Sequence, residues 1–164
     1  MSMDLLFEEL LQATWHNNYI IVNKLVSAGV LNLNIRSKIG VTALHVATYR
    51  FDGDLRIIRR LLLAGAEIDK QESHHGWTAL HIAAGCGFVP VVDLLLRNNA
   101  NPFALDKTDA TAMDIAYCCN QGVIIGILIS AEAGSEASQT YTGSLSISES
   151  KFGRAIANIA DEVD

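Results

Sequence analysis

Apolar positions along the chain come in short blocks that recur. In "VPVVDLLLRNN", Val91, Val92, Leu94, Leu95 and Leu96 fall at helical spacings, which predicts a short helix buried between neighbours. "RIIRRLLLAG", "VNKLVSAG" and "GVIIGILIS" repeat the theme. Gly29 and Gly65 suit a left-handed turn that stops such a helix, and Asn99, the next-best residue for that conformation, stands at the third stop. Ahead of one block lies a segment with Ala83 and Ala84, whose small side chains let helices stack closely.

Sliding the chain against itself turns these blocks into a repeat. "GVTALHVATYRFDGDLRIIRRLLLAGAEID" begins at Gly40, "GWTALHIAAGCGFVPVVDLLLRNNANP" at Gly76 and "DATAMDIAYCCNQGVIIGILISAEA" at Asp109. Thr42, Thr78 and Thr111 stand 36 and then 33 residues apart, the excess coming from an insertion near Phe51–Asp52 and one residue before Ser73. Each threonine precedes a first helix and is placed to cap it. "LLQATWHNNYIIVNKLVSAG" carries the same helical text without that entry. No single pair buries its own face, so stability must come from stacking between neighbours.

A period near 33 with T-x-L-H, then A-x-x-G, paired Val or Ile, and L-L-x-x-G-A resembles the ankyrin repeat. The likeness implies an all-α solenoid of helix–turn–helix units with hairpin fingers. Residues 1–133 would form the domain, as four repeats at about 5–36, 37–71, 73–105 and 106–133. Ala43, Ala79 and Ala112 replace the usual proline, and the last repeat reads T-A-M-D, where Thr111 and Asp114 predict a capping box. The resemblance also makes His45 and His81 scaffold residues, bonding within their own repeat and to the next.

What the resemblance implies for function is a non-catalytic module that binds a protein partner, as adaptor or inhibitor, through finger tips and the concave inner-helix surface. The variable finger positions include Arg36 and Lys38, then Glu72, His74, His75 and Trp77, then Lys107. Trp77 is expected to be an exposed anchor, since large amphipathic rings dominate interface hot spots. Its alternative is packing along the finger against Tyr49 or Phe51. Trp15, Tyr49, Phe51 and Trp77 are expected to form one aromatic strip with Arg50 beside it.

Composition changes this picture little. Half the residues are apolar and 18% are charged, which excludes a disordered chain. The net charge of −6 argues against nucleic acid, and Arg50, Arg56, Arg59 and Arg60 read as a solvated helix face. "MSMDLLFEELL" lacks a basic leader, and the three cysteines have no spaced framework, so an intracellular, cytoplasmic site is expected, with the nucleus or delivery into a host cell as alternatives. "GVIIGILISA" is about half the length that spans a bilayer, so no membrane role is expected. His74, His75, His81 and Cys86 invite a metal site, yet His81 belongs to the repeat and adjacent residues of an extended segment point apart; no metal or cofactor is expected. Cys118 and Cys119 are the only credible nucleophiles, and neither has a basic neighbour in sequence, so no enzyme is expected.

After Ala133 the text changes. Residues 134–150 are rich in Ser, Thr and Gly and predict a flexible linker. In 151–164, Phe152, Ile156, Ile159 and Val163 make one apolar stripe on a predicted amphipathic helix. Two uses stay open: it covers the exposed end of the stack, or it binds a partner or a second copy, which would make the protein a self-associating scaffold.

Overall fold

The computed structural model describes residues 3–51 and 54–134. The stripe Phe152, Ile156, Ile159, Val163 and all but the first residue of the expected linker lie outside the described residues.

Eight helices form among the described residues, with no strand. They fall into four antiparallel pairs: α1 (Met3–Trp15) with α2 (Tyr19–Ser27), α3 (Ala43–Tyr49) with α4 (Arg56–Leu63), α5 (Ala79–Cys86) with α6 (Val89–Arg97), and α7 (Ala112–Cys118) with α8 (Gly122–Gly134). First helices pack in sequence, α1 on α3, α3 on α5 and α5 on α7, while α2 meets α4 and α6 meets α8. The main core runs from Phe7 and Leu10 through Leu44, Ile58 and Leu61 to Leu80, Leu95 and Leu128, and a smaller second cluster holds Trp77, Ile82 and Ile115. This is the all-α repeat stack expected from the pattern.

The stops behave as the residue types predict. Gly29, Gly65 and Asn99 all take positive φ, at 66°, 90° and 64°. Thr42, Thr78 and Thr111 each cap their helix as half of a reciprocal box, the hydroxyl taking the N–H of the third helical residue while that residue's side chain reaches back. The His45 Nδ1 accepts from the Thr42 N–H at 3.1 Å and from its hydroxyl at 2.8 Å; His81 does the same for Thr78 at 3.2 and 2.8 Å. In the last repeat the Asp114 carboxylate takes the ring's place, accepting from the Thr111 N–H at 2.7 Å and its hydroxyl at 2.9 Å. The expected capping box is therefore present.

Three fingers lie side by side, each a tight turn spanned by an equivalent backbone bond: Ser37 N–H to Val41 O, Glu72 to Trp77, and Asp106 to Ala110. Neighbouring fingers are tied by the Ser73 N–H on Gly40 O (3.0 Å) and the Lys107 N–H on His75 O (2.8 Å). Gly40, Gly76 and Asp109 occupy equivalent tips with φ of 79°, 75° and 59°. A Cβ on Gly40 would run into Ser73, and one on Gly76 would come within 3.1 Å of the Lys107 backbone nitrogen. The last finger has no described finger beyond it, so a side chain fits there. Gly40→Ala is thus expected to lose about 1–3 kcal/mol in urea denaturation, from a left-handed alanine plus overpacking. Asp109→Gly should stay within about 0.5 kcal/mol of the parent, as surface changes usually do.

Candidate functional site

Ordinary residues at the finger bases build a network that joins each repeat to the next. The His45 Nε2 donates to Trp77 O at 3.1 Å, and His81 Nε2 to Ala110 O at 3.2 Å. Because Nδ1 of each ring accepts a backbone N–H, the rings are neutral tautomers with the proton on Nε2. Burial lowers both histidines, His45 to about 4. The scaffold role implied for these two histidines agrees with this geometry.

Glu72 is a correction. It stands at a finger position nominated for a partner, yet it is only 2% exposed. Its carboxylate accepts the N–H groups of His74 (2.6 Å), His75 (2.5 Å) and Trp77 (3.1 Å), so it knots its own turn. Burial works to raise this carboxyl, but those three donors outweigh it and hold it below the ordinary range. Asp106, 34 residues on, does the same work: its Oδ1 accepts from the N–H groups of Thr108 and Ala110, at 2.7 and 3.0 Å. Burial pushes against Asp106 too, and the bonds from Ala110, Thr108 and Trp77 lower it.

Trp77 is the larger correction. It is 5% exposed, not a projecting anchor. Its indole N–H donates to Asp106 Oδ2 at 3.0 Å, its ring stacks on His75 at 4.6 Å, and it packs with Ile82 and Ile115 beside Tyr49, Cys86 and Cys119. A finger residue is buried here because the next repeat supplies both the acceptor and the wall. Asp106 escaped the sequence reading, although aligning the fingers places an acid at 72 and again at 106.

The remaining nominees divide. Arg36 Nε donates to Gln71 O at 2.9 Å, His74 Nε2 to Ile39 O at 2.9 Å, and Lys107 Nζ to Ser73 O, so each ties one finger to another while staying exposed. Trp15 is buried, stacked on Tyr49 at 5.9 Å with the Arg50 guanidinium 4.6 Å from its ring. Of the expected aromatic strip, Trp15 stacks on Tyr49 and Tyr49 packs against the cluster that holds Trp77, with both tryptophans buried, while Phe51 meets Phe88 edge-on at 5.3 Å.

The arginine cluster also needs correcting. Arg60 is half-buried, donating to Asn23 Oδ1 (2.8 Å) and Ser27 Oγ (3.0 Å), and Arg56 lies over the Tyr19 ring while pairing with Asp54. With Arg50 on Trp15 O at 3.1 Å, three of the four cations fasten the second repeat to the first. Arg50, Arg56 and Arg59 are exposed as expected, and Arg60 alone of the four is half-buried.

Chemistry has few footholds. Burial, with Cys119 nearby, pushes the Cys86 thiol up to about 11, the wrong direction for a nucleophile. His81 has both ring nitrogens engaged, and no cluster of three or more His, Cys, Asp or Glu among the described residues is placed to hold a metal ion. No described helix is long and apolar enough to cross a membrane.

A groove opens between the first repeat and the first finger. Leu11, Val41 and Val46 form its floor, Ile39 one wall, and Lys38, Glu8 and Gln12 its exposed rim.

A family model described as ankyrin repeats (3 copies) matches residues 44–140, more than half of the chain. Among curated proteins the chain is similar to an L-asparaginase of Dirofilaria immitis, 36% identical over 63% of this chain and 17% of that protein. It is also similar to ankyrin repeat and SAM domain-containing protein 6 of Mus musculus, 31% identical over 63% of this chain and 11% of the relative. The RelA-associated inhibitor of Mus musculus is 38% identical over 46% and 9%. The chain spans less than a fifth of each of these relatives.

Proposed function

Since the chain belongs to the ankyrin-repeat family, whose repeats form protein-interaction modules, we propose that it acts by occupying a protein partner, with the open groove beside the first finger as its point of recognition. The groove carries the reading: an apolar floor of Leu11, Val41 and Val46 accepts one apolar side chain, and Lys38 on the rim faces an acidic neighbour in the partner segment. Tyr49 and Arg50, on the inner face, extend the surface toward the second repeat. Glu72 and Trp77 have no part in contact, being buried, and His74, Arg36 and Lys107 contribute only what their inter-finger bonds leave exposed. Likeness to a protein named as an inhibitor supports action by occlusion rather than by chemistry. Three free thiols fit a reducing, intracellular site.

The test is affinity capture with mass spectrometry, comparing the full chain with Lys38→Glu. Lys38 is exposed, so the urea midpoint should hardly move, within about 0.5 kcal/mol. Partner recovery should fall about tenfold, because the reversed rim charge meets like charge. Unchanged recovery would remove the groove from the recognition surface.

A further inference from the structure

One end of the stack is finished and the other is not. Glu9 and Gln12 of α1 stand exposed at places where the later repeats bury alanine (Ala43, Ala79, Ala112) and Val or Ile (Val46, Ile82, Ile115). That is the polar outer face a terminal repeat needs for solubility.

At the far end the outward positions stay apolar. Thr14, Thr48 and Ala84 are buried, whereas Tyr117 at the same place is 61% exposed. Leu10, Leu44 and Leu80 are buried, and their counterpart Met113 is half-open. On the second helices Val22, Ile58 and Val92 are buried while Ile125 is half-open, and one turn further Ile129 is 54% exposed. Met113–Tyr117 and Ile125–Ile129 are both i, i+4 pairs, so α7 and α8 together present one apolar face. Glu132 lies a turn beyond Ile129, and burial together with the Asp114 carboxylate raises its pKa.

We propose that this face is covered by the chain's own residues 151–164, lying antiparallel to α8 with Phe152, Ile156, Ile159 and Val163 on Tyr117, Ile125 and Ile129. The intervening residues 135–150 reach up to about 50 Å when extended, more than twice the roughly 20 Å length of α8. As a helix the segment would be about 21 Å long, a match for α8. Charge fixes the direction. Antiparallel docking sets Lys151 and Arg154 beside Glu132 and Asp114, and carries Asp161 and Glu162 toward the start of α8, where the helix dipole favours acids. A second copy competes poorly, because covalent linkage through residues 135–150 holds the segment at an effective concentration in the millimolar range.

The experiment is hydrogen–deuterium exchange on the full chain and on Ile156→Asp/Ile159→Asp, with the solution mass of each. Both substitutions fall outside α1–α8, so every contact among those helices keeps its own residues. Amides of α7 and α8 should exchange about tenfold faster in the variant, those of α5 should not change, and both proteins should be monomers. Tyr117→Asp should give the same release, and adding it to the double variant should give no more. Unchanged protection of α8 in Ile156→Asp/Ile159→Asp would overturn the proposal. So would a parent dimer that the variant dissolves, which would assign the face to a second copy.

Discussion

Replacing Trp77 with alanine is expected to destabilise the protein by about 3–5 kcal/mol, the range for deleting a buried aromatic ring. The loss has three parts: the cavity beside Ile82 and Ile115, the stack on His75, and the bond that the indole donates to Asp106. Trp77→Phe separates them. It keeps most of the ring contact and gives up the 3.0 Å bond, so about 1–3 kcal/mol should be lost where the buried Asp106 oxygen loses its donor. Urea denaturation followed by circular dichroism reads both, and a loss below about 1 kcal/mol for the alanine variant would show that the ring is not part of the core.

The second large effect is on pH. Burial lowers His45 to about 4 in the folded protein, whereas the unfolded chain has an ordinary histidine near 6.5. As pH falls through 6.5 the unfolded state takes up the proton first, so stability is complete above that pH and drains away down to about 4. For a shift of this size the loss from His45 is about 3 kcal/mol. His81, lowered for the same reason, adds in the same direction. Glu72 and Asp106, held below their ordinary values of 4.5 and 3.8, add to the loss as pH falls through those values and they become protonated. Urea midpoints should therefore be flat from pH 8 to 7 and fall between 6.5 and 4. His45→Gln should shrink that slope. A midpoint unchanged from pH 7.5 to 4.5 would mean the histidines are not buried neutral.

The two effects show where sequence was a sufficient guide and where it was not. Local signals survived: the apolar spacing of Val91 to Leu96 gave a buried helix, and Gly29, Gly65 and Asn99 all took the left-handed turn. His45 and His81 could be assigned to the scaffold because the repeat itself carries their role. The failures came where one repeat leans on another. Trp77 looks exposed in its own finger, but Tyr49 of the preceding repeat and Asp106 with Ile115 of the next one help to bury it. Arg36, His74 and Lys107 stay exposed as the finger pattern suggests, but their bonds to the adjacent finger's carbonyls could not be read from one repeat. Arg60 reads as solvated until Asn23 and Ser27 lie opposite. In a solenoid the environment of a side chain is set some 33 residues away, so exposure is the property a single repeat cannot report.

In the proposed function, residues that hold the fingers together are distinct from residues that meet a partner. Partner capture by Trp77→Phe and by Lys38→Glu, at equal concentrations of folded protein, tests this most directly. Full recovery by Trp77→Phe with recovery lost in Lys38→Glu is the predicted result. Loss in Trp77→Phe with full recovery in Lys38→Glu would contradict it and return recognition to the buried indole.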